Sequence, residues 1–108
     1  LDDDNVIFPN YLEVIAAALT ANPSADMAIC KIIHMGPLPP WLCPPPKVLD
    51  GNPPRLQNID SLQATVRTRA MREHGWLDRG YMADGYTLES LATKYPYIHV
   101  SEILGVHM

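Results

Sequence analysis

The sequence is poor in cysteine and in charge, and it contains no long apolar run. Its two cysteines, Cys30 and Cys43, are too few for a disulfide scaffold and lack the spacing of zinc ligands. Eight basic residues against twelve acidic ones leave a net charge of −4, which argues against a nucleic-acid partner bound through its phosphates. No segment has the length of a membrane span or the pattern of a signal peptide. We therefore expect a cytoplasmic protein with reduced thiols and no membrane span in this chain.

Apolar residues make up 47% of the 108 residues, which is enough for one packed domain with a single core. Two apolar stripes at helical spacing predict two longer helices. Their members are Leu12, Ile15, Ala16 and Leu19 after Pro9, and Leu88, Leu91, Ala92 and Tyr95 after Asp84. Strands are predicted at 27–33, 62–68, 97–100 and 103–107, and a short helix at 69–74 is closed by Gly75. The predicted order is β-α-β-loop-β-α-α-β-β, an α/β arrangement in which helices flank a mixed sheet.

Eight of the eleven prolines lie between Pro37 and Pro54, and they predict a long loop over residues 36–55. Each proline removes a backbone donor and fixes φ, so this segment cannot be a regular helix or a central strand. Loops of such length are usually functional or disordered. The three prolines at 44–46 also permit a polyproline ligand for an SH3-like partner. The same segment contains Trp41, whose role the residues leave open.

The first five residues, Leu1-Asp2-Asp3-Asp4-Asn5, place three carboxylates side by side. Carboxylates this close repel one another unless a cation lies among them, and Mg²⁺ or Mn²⁺ prefers such oxygen ligands. Leu1 reads as the end of a buried strand, so we expect the chain to be the downstream part of a longer protein. From the residues alone, a frayed acidic terminus and a cap on the following helix remain open as alternatives.

Asp84 stands at the predicted N-cap of the second long helix, where backbone N–H groups keep a carboxylate ionised. An aspartate at this position caps the helix whether or not it has a chemical role. A lone histidine at a strand end, such as His107, is more often a satisfied surface side chain than a ligand. Trp76 lies beside the glycine that closes the short helix and is expected in the core. The remaining histidines, His34, His74 and His99, are interpreted as structural.

The order of these motifs is typical of one family. An acidic Asp-x-Asp turn comes first, then a helix, a strand, a long variable loop, and a strand running into a short helix that ends Gly75-Trp76-Leu77-Asp78. An acidic residue heads the next helix, and a closing strand ends in histidine. The chain resembles the C-terminal half of the catalytic domain of family 2 glycosyltransferases, which have the Rossmann-like GT-A fold. The resemblance spans Asp2 to His107 and rests on the order and spacing of the motifs together.

The resemblance implies metal-dependent transfer of a sugar from a nucleotide-sugar donor to a hydroxyl of a glycan or lipid acceptor, with inversion as the family default. Asp2 and Asp4 match the carboxylates that face the nucleotide diphosphate and its Mn²⁺ or Mg²⁺, and Asp3 is the variable middle position. Asp84 matches the aspartate that takes the proton from the acceptor hydroxyl. His107 lies where some family members place a histidine that reaches the metal or the diphosphate. A location peripheral to the inner face of the membrane is also compatible with this family.

On the acceptor side, the resemblance makes Asn58 and Asp60 candidates for polar contacts. The chain departs from the family pattern at Ala83, where the family has the glutamate of a Glu-Asp pair, and at Ser90, where an arginine often follows. The N-terminal half that holds the base and ribose of the nucleotide is not part of these residues. The alternative is a truncated, non-catalytic domain that acts through self-association or a partner chain, since uncovered apolar faces favour a homo-oligomer.

Overall fold

A five-stranded mixed sheet forms the centre of the fold, as the sequence predicts for an α/β domain. The computed structural model describes residues 5–35, 47–55, 58–77 and 83–107, except for the side chain of Asp84. The strands are β1 (Asn5–Ile7), β2 (Met27–His34), β3 (Lys47–Leu49), β4 (Ala64–Val66) and β5 (Tyr97–His107). The helices are α1 (Tyr11–Ala21), α2 (Thr68–His74) and α3 (Ala83–Lys94). None of the helices in the described ranges is long and apolar enough to cross a membrane.

The strand β2 lies at the centre of the sheet. One of its edges pairs in parallel with β5, while β3 and β4 pair antiparallel with its C-terminal and N-terminal parts. The strand β1 pairs antiparallel with the free edge of β5, so the strand order is β1-β5-β2-β3, with β4 also on β2. Residues Met27 to Cys30 are completely buried in succession. This is expected of a strand that is covered on both faces of the sheet.

Two apolar clusters cover the two faces of β2. Ala28, Cys30 and Ile32 belong to the first cluster, and Met27 and Ile29 belong to the second. Because successive side chains of a strand point to opposite faces, the two clusters lie on opposite sides of the sheet. The helix α1 packs into the first cluster and α3 packs into the second. The helices therefore flank the mixed sheet, as expected.

The two long helices differ in how well the sequence predicts their buried faces. The prediction for α3 is confirmed, since Leu88 and Leu91 are buried and Ala92 and Tyr95 pack against them. For α1 the prediction is wrong at Leu12, which is 73% exposed, and Ala16 is exposed as well. The helix begins at Tyr11 and not at Pro9, and the residues that pack on the sheet are Tyr11, Val14, Ile15 and Leu19. The buried stripe is thus rotated by about one residue.

Several predicted boundaries also change. The segments at 97–100 and 103–107 are one continuous strand, β5, whose pairing with β2 has register shifts in its middle. The segment predicted as a strand at 62–68 overlaps a 3₁₀ turn (Ser61–Gln63) and then contains the strand β4 and the start of α2. The predicted loop at 36–55 includes the strand β3, which lies at the sheet edge where neighbouring prolines are tolerated. Residues 36–46, with Trp41, lie outside the described residues.

Gly75 closes α2 as predicted. Its φ is 77°, which suits glycine, and its N–H donates to the carbonyl of Met71. The core position predicted for Trp76 is wrong, because this side chain is 54% exposed. The chain leaves the helix at Gly75, and Trp76 follows beyond the last packed turn.

Candidate functional site

The end of β5 brings His107 beside the start of β1 and the end of β2. His107 lies opposite Asn5 in the antiparallel pair and opposite His34 in the parallel pair. Its carbonyl oxygen accepts a hydrogen bond from the N–H of Met35 at 2.9 Å. Asn5 is the residue that follows the acidic run in the sequence. The sheet therefore pairs the candidate histidine with the immediate neighbour of Asp4, although Asp2 and Asp4 lie outside the described residues.

Two imidazole rings and a carboxylate meet at this end of the sheet. The rings of His34 and His107 pack edge to face, with centroids 4.7 Å apart and planes at 77°. The Oδ2 atom of Asp60 lies 3.4 Å from Nδ1 of His107. Burial lowers the pKa of His34, and the neighbouring His107 lowers it further. We call Asn5, His34, Asp60 and His107 the histidine cluster.

Two polar atoms of the histidine cluster are buried without a hydrogen-bond partner among the described residues. These atoms are Oδ1 of Asn5 and Nδ1 of His107. Leaving such an atom without any partner costs about 1–3 kcal/mol. Carboxylate, amide and imidazole groups are ligands that divalent cations accept. The histidine cluster therefore contains residue types that can serve as cation ligands.

The described residues do not complete such a site. No three histidine, cysteine, aspartate or glutamate side chains in the described ranges are grouped so that they could hold a metal ion. A cation at the histidine cluster would therefore need ligands from the rest of the chain. The two carboxylates that the sequence predicts as ligands, Asp2 and Asp4, belong to that remainder.

A buried glutamine fixes the position of Asp60. Oδ1 of Asp60 accepts from the N–H of Leu62 at 2.9 Å, and Oε1 of Gln63 accepts from the N–H of Asp60 at 2.8 Å. The two bonds form a reciprocal cap at the start of the 3₁₀ turn. The side chain of Gln63 is completely buried, and its amide donates to the carbonyls of Cys30 and Leu49. Asp60 is therefore attached to the central strand as well as to its own turn.

Sequence reasoning placed Asn58 and Asp60 together as polar contacts for an acceptor. In the structure, Nδ2 of Asn58 donates to the carbonyl of Pro53 at 2.8 Å and so holds its own loop. Asp60 instead faces His107, a contact that the sequence reasoning missed. The Asp-x-x-Gln pattern of Asp60 and Gln63 predicts the capping box of this turn, but it does not predict the contact with His107.

Asp84 lies in the first turn of α3 and is its second residue, so it does not precede the helix as an N-cap would. Its side chain is outside the described part of the structure. The same helix contacts the 3₁₀ turn that follows Asp60 and packs on the second cluster through Leu88 and Leu91. The backbone of α3 is thus firmly placed against the sheet, while no side-chain geometry is assigned to the candidate base.

Ser90 joins α3 to α2. Nδ1 of His74 lies 2.6 Å from the carbonyl oxygen of Gly75, and a carbonyl only accepts, so Nδ1 is the donor. In the neutral ring Nε2 then accepts from the hydroxyl of Ser90 at 2.7 Å. A shallow cavity of about 250 Å³ lies beside this contact and is lined by Leu77, Tyr86, Glu89, Ser90 and Thr93.

His99 is also held inside the fold. Its Nε2 lies 2.9 Å from the carbonyl oxygen of Asp50 and 3.2 Å from Oδ1 of the same residue. Since both atoms accept, Nε2 is the protonated nitrogen of this ring. Lys31 reaches the same Oδ1 at 3.8 Å. This second histidine–carboxylate contact gives a comparison for the one between His107 and Asp60.

Neither protein-family models nor curated proteins add a relative of this chain. A scan against models of protein families and a search of curated proteins gave no match to this chain. The likeness to family 2 glycosyltransferases therefore rests on the motifs of the sequence alone, and the activity that it implies is a proposal.

Proposed function

We propose that this chain is the C-terminal, acceptor-side half of a GT-A domain, and that it takes part in metal-dependent transfer of a sugar from a nucleotide-sugar to a hydroxyl acceptor with inversion. One observation carries the proposal: the pairing of β1 with β5 sets His107 opposite Asn5, the residue directly after the acidic run. Residues from the two ends of the sequence are thereby brought to one end of the sheet. The mixed sheet with helices on both faces is compatible with a Rossmann-like domain.

Asp2, Asp4 and His107 would hold the Mn²⁺ or Mg²⁺ ion in this proposal. A cation there stabilises the negative charge that grows on the diphosphate as the bond to the sugar breaks. The unsatisfied Oδ1 of Asn5 supports the assignment, because it is a buried acceptor on β1, opposite His107 of β5. His107 supports it as well, since a ring in contact with a carboxylate is a common arrangement for metal-binding histidines.

Asp84 would take the proton from the acceptor hydroxyl. Its place in the first turn of α3 supports this role, because the N–H groups at a helix start stabilise an ionised carboxylate. We expect Asp84→Asn to preserve nucleotide binding and to abolish sugar transfer. Glu13→Gln, an exposed change on α1, is the charge-matched control and should leave transfer unchanged. Transfer at the normal rate by Asp84→Asn would remove Asp84 as the base.

The metal site is tested by thermal melting of the chain with Mn²⁺ and a panel of nucleoside diphosphates, each alone and in combination. A ligand at 100 times its Kd stabilises the folded state by about 2.7 kcal/mol, which is about 10 °C or more for a domain of this size. We expect a shift that needs both metal and nucleotide, and its loss in Asp2→Ala and Asp4→Ala. Asp3→Ala is the matched control in the same run and should retain the shift. No shift with any nucleotide in the unaltered chain would contradict the proposal.

A second candidate is a non-catalytic domain that associates with itself. The observation that favours it is the exposure of β1, where Val6 is 50% and Ile7 is 37% exposed. Because neighbouring strand residues point to opposite faces, β1 is exposed on both sides in the described part of the structure. Sedimentation equilibrium of the chain should then show a dimer that Val6→Lys dissociates, whereas Leu12→Lys on α1 does not. A monomer at all concentrations would exclude this candidate.

A further inference from the structure

We propose that Ser90 and His74 form a nucleophile–base pair, which takes an acyl group from a small, activated ester bound in the cavity beside them. The pair connects α3 with α2 through one hydrogen bond. It uses none of the residues of the histidine cluster and does not rest on the proposed function. Ester cleavage is thus a second chemistry for this chain.

Two short hydrogen bonds place the ring of His74 as a base. Its Nδ1 donates to the carbonyl oxygen of Gly75 at 2.6 Å, which fixes the orientation of the ring. Its Nε2 accepts from the hydroxyl of Ser90 at 2.7 Å, within the range of about 2.6–3.2 Å that joins a nucleophile to its base. The hydroxyl proton of Ser90 is therefore directed at the lone pair that can remove it.

Both partners lie on packed helices. His74 is the last residue of α2, and Ser90 lies within α3. The rings of His74 and Tyr95 pack edge to face, with centroids 6.3 Å apart and planes at 73°. The hydroxyl of Tyr95 donates to Oε1 of Glu73 at 2.9 Å, which holds this second ring in place. Reactive side chains on helices keep their geometry more precisely than side chains on loops.

The cavity beside the pair determines the size and charge of the substrate. Ser90 is half-buried and lines about 250 Å³ together with Leu77, Tyr86, Glu89 and Thr93. Pockets for drug-sized ligands measure about 300–1,000 Å³, so this cavity fits a short acyl chain. Leu77 and Tyr86 supply apolar surface, while the carboxylate of Glu89 repels an anionic acyl group. We therefore expect a neutral or cationic ester with a small acyl group.

The reaction follows from the direction of the hydroxyl proton. Oγ of Ser90 forms a bond to the carbonyl carbon of the ester while its proton passes to Nε2 of His74. The protonated ring gives this proton to the leaving alcohol as the ester C–O bond breaks. A water molecule then repeats both steps, which releases the carboxylic acid and restores the hydroxyl of Ser90.

The backbone of the cavity wall limits which bonds the pair can cleave. The N–H of Leu77 already donates to Oγ1 of Thr87 at 3.0 Å, so it is engaged and does not bind a developing oxyanion. One such donor is worth about 10²–10³-fold in rate. We therefore expect the pair to act on esters with a good leaving group and not on amides.

A fluorophosphonate probe tests the first half of this reaction, because Oγ displaces fluoride from phosphorus as the hydroxyl proton passes to His74. We expect mass spectrometry of the labelled chain to place a single phosphonyl group on Ser90. Ser90→Ala should remove the label, and His74→Gln should slow labelling by about 10²–10⁴-fold, which is what a general base contributes. Ser24→Ala, at an exposed serine that does not line the cavity, is the matched control and should be labelled at the unaltered rate.

His99→Gln separates loss of the base from loss of stability. It also removes a half-buried ring that is hydrogen-bonded within the fold, in this case to the carbonyl of Asp50. Thermal melting shows whether each variant is folded, and the folded His99→Gln protein should be labelled as fast as the unaltered chain. The inference is overturned if the probe does not label Ser90 in the unaltered chain, or if folded His74→Gln is labelled at the same rate.

The second readout is cleavage of p-nitrophenyl acetate, a neutral ester with a small acyl group and a good leaving group. We expect a first fast turnover that releases one p-nitrophenolate per chain, followed by slower steady release as water frees the acyl group from Ser90. The fast phase should be absent in Ser90→Ala and present in Ser24→Ala. A fast phase of equal size in Ser90→Ala would refute the inference.

Discussion

Replacing Gln63 with leucine tests whether one buried side chain holds the loop beneath the histidine cluster. Leucine is similar in size, so packing changes little, but three hydrogen bonds of 2.8–3.0 Å are lost. They leave the carbonyls of Cys30 and Leu49 and the N–H of Asp60 without this partner. Each buried group left unsatisfied costs about 1–3 kcal/mol, so we expect Gln63→Leu to lower the free energy of unfolding by at least about 3 kcal/mol. Since a domain has about 5–15 kcal/mol in total, the variant should be close to its stability limit.

Urea unfolding followed by circular dichroism measures this loss. The midpoint should fall by more than about 1 M, given an m-value of about 1–3 kcal/mol/M. Asn22→Ala is the control, because the amide of Asn22 also donates to a backbone carbonyl, that of Ala18, but in an exposed position. Its loss should cost less than about 1 kcal/mol, since water replaces the partner. The reasoning is refuted if Gln63→Leu is no more destabilising than Asn22→Ala.

Two further predictions concern backbone conformation and the buried thiol. A Cβ at Gly51 (φ 69°) would approach Cγ2 of Ile29 to 2.7 Å, whereas a Cβ at Gly75 (φ 77°) would meet no atom within 4 Å. Urea unfolding should therefore show that Gly51→Ala is more destabilising than Gly75→Ala by about 1–3 kcal/mol. Equal effects of the two substitutions would contradict the described packing. Burial raises the pKa of Cys30 from 9.0 to about 11, so the thiol form is favoured in the folded state. The contribution of the buried Cys30 thiol to stability is complete below about pH 9 and is lost as the pH rises through 11. In a Cys43→Ser background, iodoacetamide should modify Cys30 only after urea unfolds the chain. Rapid modification of the folded protein at pH 8 would show that Cys30 is not buried.

The elements that the sequence predicts correctly are those in which a local pattern and burial agree. The apolar run at 27–33 becomes β2, and the spacing of Leu88 and Leu91 identifies the buried face of α3. The prediction that Leu12 is buried is wrong, because a buried stripe at i, i+3 and i+4 is assigned one residue too late along the chain when the start of the helix is misplaced. The sequence predicts two short strands at 97–100 and 103–107 because the polar residues between them interrupt the apolar pattern. The backbone pairing of β5 continues across this interruption.

For the candidate site, the sequence predicts which residue types take part but not which of them come into contact in the fold. The position of His107 at a strand end could be predicted, and so could its candidate role through the resemblance. Its contact with Asp60 could not, because the two residues meet only after β5 has paired with β2 and Gln63 has attached its turn to that strand. Such contacts depend on tertiary register, which no local pattern encodes. The roles of Asp2, Asp4 and Asp84 stay predictions.

The parallel pairing of β2 with β5 determines when this chain can fold during its synthesis. The central strand is made early, yet one of its edges is completed only by β5, which comes after every other strand and helix described. Pairings between distant segments close late and slow the folding of a domain, because the intervening chain must first be ordered. The apolar run 27–33 must therefore remain incompletely covered while the chain emerges from the ribosome. The histidine cluster cannot assemble before β5 has been made, since His107 is the final residue of that strand.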